Sequence, residues 1–214
     1  MAAETVDTNR LHDWIARFGA AVAEKREWLT ELDSAIGDAD HGANMARGMS
    51  AVSEKLGSSA PAAADDLLKT VGMTLVSSVG GASGPLYGTF FLRMGMATGA
   101  VQELEAPALA AALRAGLEGI VARGKAEPGD KTLFDAMSPA VDAFDAALAG
   151  GGDLAEAAKN AAVAAATGRD ATLPLVARKG RASYLGDRSA GHLDPGAAST
   201  ALLFESLDAA IAAG

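Results

Sequence analysis

From Asn9 onward, apolar residues recur at helical spacing: Leu11, Trp14, Ile15, Phe18 and Val22, then Leu29 and Leu32. A stripe that returns every three to four residues turns one face of a helix towards a core. The spacing predicts one long first helix ending near Ser34. The same pattern places further helices near 44–56, 62–79, 86–100, 107–123, 132–148, 153–180 and 196–212, each bounded by Gly, Pro, Asp or Ser. Pro174 is expected to kink the seventh of these helices or split it in two. No segment alternates with the period of a strand, and neither an internal repeat nor a linker divides the chain. The expectation is an all-α protein of eight helices, with residues 1–214 forming a single domain.

If consecutive helices pack antiparallel, as short connections favour, the links after helices one, three, five and seven emerge at the same end. Those four are the unusual ones: AIGDADHGA, GGASGP, GKAEPGDK and ASYLGDRSAGHLDPG. The links at the other end, GSSAP, VQELEAP and GGGD, read as plain spacers. This asymmetry predicts a site assembled from four loops at one end of the helices.

Composition narrows the classes. Half the residues are hydrophobic but only 5% are aromatic, so the core is built from small aliphatic side chains in closely packed helices. A formal charge of -9 without a long Lys/Arg run excludes a nucleic-acid surface, which needs clustered cations. There is no cysteine, hence no disulfide, thiolate metal site or catalytic thiol. The first residues, MAAETVDTNR, lack the basic segment and apolar core of a signal peptide, and a cytoplasmic location is expected. Thr70 to Leu92 carries no charge, yet its five glycines and Pro85 make it two buried helices joined by a turn and not a membrane span.

Candidate chemistry centres on LDSAIGDADHGANM, where Asp33, Asp38 and Asp40 lie within eight residues. On one continuous helix Asp38 would point about 140° away from Asp33, so convergence needs a break, which Gly37 and Gly42 can supply. One reading is a solvated acidic loop with an aspartate capping the next helix. The other is a cation site, because converging carboxylates repel one another unless a cation lies between them, and all-oxygen ligands suit Mg²⁺ or Ca²⁺. An EF-hand fails on spacing. Counting from Asp38, Ala43 stands at the glycine position and Met49 at the terminal glutamate. Mg²⁺ therefore leads, and since it completes its shell with water and substrate phosphates, a phosphorylated ligand follows.

The other loops suit such a ligand. SSVGGASGPLYGTFF sets small residues before an apolar helix, where backbone amides and the helix's positive end can approach phosphate oxygens. It can equally be a packing turn. GKAEPGDKT lacks the order of a P-loop, and Asp130 or Thr132 can simply cap the helix that follows. The long last loop brings Arg178, Lys179, Arg181 and Arg188 towards the acidic end, for phosphates or for surface ion pairs. His41, which directly follows the acidic triplet, is read as a ligand-site histidine; His12 and His192 are not.

In the stretches LDSAIGDADHGANMARG, GMTLVSSVGGASGPLYGTFF, RGKAEPGDKT and ARKGRASYLGDRSAGHLDPGA, the chain resembles the DhaL family. These are the nucleotide-binding subunits of bacterial dihydroxyacetone kinases and the matching domain of single-chain kinases. The four stretches stand in family order and, with the helices between them, cover nearly the whole chain. The resemblance implies an eight-helix antiparallel barrel with a nucleotide at one end. It implies that Asp33, Asp38 and Asp40 hold two Mg²⁺ ions bridging the phosphates of ADP or ATP. Nucleotide contacts then fall on His41, Gly42, Ala43, Asn44, Ala82, Ser83, Gly124, Thr132, Leu133, Arg181, Asp194, Pro195 and Gly196. It further implies a DhaK subunit that carries dihydroxyacetone and a phosphohistidine protein, DhaM, that rephosphorylates a fixed ADP. Two alternatives stay open: an ATP-dependent kinase subunit for a related substrate, and a nucleotide-loaded coactivator of a transcription regulator.

Overall fold

The computed structural model describes residues 5–58 and 61–213. The first residues of the N-terminal segment and two residues of the GSSAP connector lie outside the described residues. Nine α-helices are present among them: α1 Thr8–Glu24, α2 Arg26–Ile36, α3 His41–Ser58, α4 Ala64–Ser78, α5 Ser83–Thr98, α6 Ala106–Gly124, α7 Phe134–Ala149, α8 Leu154–Ala171 and α9 Pro195–Ala212. A 3₁₀ segment, Arg181–Ser189, lies in the last connection. The all-α expectation holds.

Two boundaries differ from the sequence reading. The long first helix is two helices, because the chain leaves helical geometry at Lys25, whose N–H still donates to Ala21 O. The helix expected over 153–180 stops at Ala171, where Thr172 begins a turn ahead of Pro174. One further element was not expected: β1 Thr5–Asp7 pairs antiparallel with β2 Glu103–Glu105, with Val6 opposite Leu104. Both of those apolar residues are buried, while their neighbours remain accessible.

The packing neighbours run in chain order from α3 through α9, and α9 returns to α1, which itself packs on α3. The helix α9 is the most enclosed, with residues from Pro195 to Ile211 buried along nearly its whole length. Trp14 ties it to α1 by donating from its indole N–H to Leu203 O at 2.9 Å. The predicted small-residue core is evident in α8, where Ala157, Ala158, Ala161 and Ala165 are fully buried. Four fully buried alanines on one face let α8 lie close to α7 and α9.

The connections sort as their parity predicts. Residues 37–40, 79–82, 125–133 and 172–194 meet at one end. The β1–β2 pair and the 150–153 turn lie together at the other. Thr70–Leu92 is α4, a turn and α5, and no helix among the described residues is long and apolar enough to cross a membrane.

Candidate functional site

The four loops enclose a cleft of about 520 Å³, within the range usual for small-molecule sites. The helices α3, α5, α7 and α9 all begin at this end, so four positive helix termini face the same region. Such an end attracts anions.

The aspartates supply the opposite sign. Asp33 sits in the last turn of α2 and is buried, and its Oδ2 accepts from Asp40 N at 2.8 Å and His41 N at 3.0 Å. Those two bonds close the loop and leave Oδ1 uncommitted. Ala39, between Asp38 and Asp40, adopts φ +62, a strained value for a residue with a Cβ. The turn is therefore made at Gly37 and Ala39, and the expectation that Gly42 shares in it is corrected. Gly42 lies in the first turn of α3, where a Cβ would come within 2.1 Å of Arg26 O; it allows α3 to touch α2. Asp33, Asp38 and Asp40 each present an oxygen within 4.8 Å of the others. An all-oxygen set this close fits a hard divalent cation.

Around the triad stand the remaining predicted residues. His41, Asn44, Ala82, Ser83, Gly124, Thr132, Leu133, Arg181, Asp194, Pro195 and Gly196 all line the cleft. Gly42 and Ala43 do not. Arg181 pairs with Asp38 at 3.0 Å across the mouth, so in this structure its charge is taken up by a carboxylate of the triad. Leu86, Ile120 and Ala126 form an apolar wall with Leu133. Sequence reading missed these three, which are ordinary core-type residues set at the cleft by the start of α5, the end of α6 and the loop after it.

Lys131 has another task. It is 1% exposed, and its Nζ donates to Leu175 O, Ser189 O and His192 O at 3.0, 2.7 and 2.6 Å. Its three protons are spent on tying the last connection to the 125–133 loop. That connection is braced further by Ala177 N donating to Ser189 Oγ and Arg178 N to Asp130 O. Thr132 Oγ1 accepts from Phe134 N, at the first residue of α7, as expected of a cap, while Asp135 accepts from Gly129 N and Thr132 N and Asp130 from Glu127 N.

Residues 35–209 match the DAK2 domain. The chain belongs to the DAK2 domain family. It is similar to the ADP-binding subunit DhaL of the PEP-dependent dihydroxyacetone kinase of Escherichia coli, with 46% identity over 95% of this chain and 97% of that one. The ADP-binding subunit DhaL of the PEP-dependent dihydroxyacetone kinase 1 of Listeria innocua is 47% identical, over 95% of this chain and 96% of its own length. Among solved structures, the dihydroxyacetone kinase of C. freundii in complex with AMP-PNP and Mg²⁺ superposes with a TM-score of 0.69 at 26% identity. That match covers 92% of this chain and 33% of the C. freundii chain.

Within this DAK2 domain the position of Gly37 carries a prediction. A Cβ there would fall 2.0 Å from Asp33 Oδ1 and 2.9 Å from its Cγ. Asp33 cannot swing aside without breaking the bonds to Asp40 N and His41 N. Gly37→Ala is therefore expected to weaken Mg²⁺ binding about tenfold or more, as loss of a supporting group at a metal site does, while far-ultraviolet circular dichroism stays unchanged. Titration calorimetry with Mg²⁺ checks it.

Two buried groups give a pH prediction for the metal-free protein. Burial lowers His41 from 6.5 to about 4, against the raising influence of Asp33 and Asp40. Burial raises Asp194 from 3.8 to about 7, although its Oδ2 caps α9 by accepting from Ala197 N. As pH falls from 6.5 to 4 the unfolded chain protonates its histidine and the folded one does not, so His41 withdraws stability. Over the same window folded Asp194 holds a proton that the unfolded chain has released, and this adds stability as pH falls. The two nearly cancel. Asp194→Asn keeps a good cap and removes the compensation, so the unfolding free energy of the variant from urea titrations should fall relative to the wild type by roughly 3 kcal/mol between pH 6.5 and 4.

Proposed function

We propose that residues 1–214 form one nucleotide-binding domain, the component of a dihydroxyacetone kinase that carries ADP or ATP. It passes the γ-phosphoryl group to dihydroxyacetone held on a separate DhaK-type subunit. The observation that carries this reading is the meeting, in one cleft, of three carboxylates and four helix N-termini. Alone, the carboxylates would repel a phosphate; with a divalent cation between them the two features become complementary. Asp33, Asp38 and Asp40 would hold two Mg²⁺ ions, which supply charge neutralisation and polarise the phosphoryl oxygens when bound. Ala82 and Ser83, at the start of α5, face the phosphates. Leu86, Ile120 and Leu133 take the base, and Arg181 leaves Asp38 to meet phosphate charge.

Phosphoryl transfer depends mainly on positioning and electrostatic stabilisation, so the domain need not supply the acid or base that acts on the substrate. The PEP-dependence in the names of its relatives supports the version in which ADP stays bound and is rephosphorylated by a DhaM-type phosphohistidine protein. Turnover of dihydroxyacetone with a DhaK-type subunit tests it. The expectation is activity that needs this chain, DhaK, the phosphohistidine protein and only catalytic ADP. Equal turnover with ATP in place of the phosphohistidine protein would point to the ATP-dependent alternative, and no transfer would overturn the kinase reading.

The docking face follows from the same requirement, since the reacting atoms must meet at the cleft end. Arg188 is exposed in the 3₁₀ segment at that end, whereas Glu103 and Glu105 lie in β2 at the opposite end. Arg188→Glu is expected to slow transfer several-fold with ADP affinity retained, and Glu103→Lys or Glu105→Lys to change neither transfer nor ADP affinity. Steady-state kinetics with both partners decides.

A further inference from the structure

A line of polar groups runs from between the helices to the cleft. Thr200 Oγ1 lies 3.0 Å from Tyr87 Oη, and Tyr87 Oη lies 2.7 Å from Ser199 Oγ. Ser199 Oγ lies 2.9 Å from His41 Nε2, and His41 Nδ1 lies 3.2 Å from Ser83 Oγ. Thr200, Tyr87 and Ser199 are fully buried, and Ser83 lines the cleft. Each hydroxyl has one proton to donate, and a neutral imidazole carries its proton on one nitrogen only. The line therefore has two self-consistent arrangements.

In the first, Ser83 donates to His41 Nδ1, His41 Nε2–H donates to Ser199, and Ser199 donates to Gly196 O at 3.0 Å. Ser83 then offers only lone pairs to the cleft. In the second, Thr200 donates to Tyr87, Tyr87 to Ser199, Ser199 to His41 Nε2, and His41 Nδ1–H to Ser83. The Ser83 proton is then free to point into the cleft. A phosphate oxygen repels lone pairs and accepts a hydroxyl proton in a charge-assisted bond, so an anion in the cleft selects the second arrangement.

We propose that Thr200, Tyr87, Ser199 and His41 act as a positioning relay that makes Ser83 a hydrogen-bond donor to a phosphate of the bound nucleotide, with the His41 ring in its Nδ1–H form. The proposal rests on the nucleotide-binding reading above. One ring nitrogen accepts while the other donates, so the relay changes the place of protons without changing their number. Ser199 and Tyr87 touch no ligand; they act through His41 on Ser83.

Nitrogen-15 NMR of the labelled protein with saturating Mg·ADP tests it, because Nδ1–H and Nε2–H tautomers have distinct ring-nitrogen shifts. The chain has three histidines, and a His41→Asn variant identifies the His41 signals. The expected result is Nδ1–H in the wild type. Ser83→Ala disconnects the ring from the ligand, and there the expected form is Nε2–H with Ser199 as acceptor. The same variant should bind Mg·ADP about tenfold or more weakly, as loss of a bond to a charged group does. Equilibrium dialysis on the same samples separates the two claims. Failure of the wild type to bind Mg·ADP would overturn the nucleotide reading and the relay together. Binding with His41 in the Nε2–H form, or an Nδ1–H ring in Ser83→Ala, would overturn the relay alone.

Discussion

Asp33→Asn is expected to lower Mg·ADP affinity at least about 100-fold, since losing even a supporting group at a metal site commonly costs 10–100-fold. The amide oxygen of the variant can still accept from Asp40 N and His41 N, the two bonds that close the loop in the wild type. The turn should therefore survive. What disappears is one negative charge and the free oxygen, replaced by an amide N–H that repels a cation. Asp38→Asn and Asp40→Asn should act in the same direction, Asp38→Asn less strongly because it also frees Arg181 from its ion pair. Calorimetric titration with Mg·ADP and a thermal melt of the same sample check the two halves of the expectation. Affinity within about threefold of wild type would show that the carboxylates are a solvated acidic loop.

Bound Mg-nucleotide is expected to stabilise the whole fold, because loops from four places in the chain converge on a ligand that the unfolded state lacks. At about a hundred times its dissociation constant the ligand contributes roughly 2.7 kcal/mol. For a chain of this size that corresponds to a rise in Tm of roughly 5–11 °C. Removing nucleotide and metal with EDTA should reverse it. The rise should be much smaller in Asp33→Asn at the same ligand concentration. A Tm indifferent to both treatments would contradict the convergence of the loops on a ligand.

The position of the site was legible before its geometry. Short connectors between amphipathic helices force antiparallel neighbours, so the four unusual loops had to share an end, and they do. Asp33, Asp38 and Asp40 were legible as a cluster because their spacing is local. Lys131 was not, since the carbonyls that take its protons lie 44 to 61 residues further on and nothing in GDKT announces them. The break at Lys25 was hidden for a different reason: no Gly or Pro marks it, and the apolar stripe resumes at Leu29. The β1–β2 pair is three residues long on each side, too short for alternation to show. Ala39 shows the opposite case, an alanine held at positive φ where propensity would place glycine. The bonds that Asp33 Oδ2 accepts from the next two amides, Asp40 N and His41 N, hold it there.

Native mass spectrometry on freshly purified chain, before and after addition of Mg·ADP, tests the central claim most directly. The account predicts a mass increased by one ADP together with Mg²⁺, lost on EDTA treatment and absent in Asp33→Asn. A bare polypeptide mass in the presence of excess Mg·ADP would contradict it.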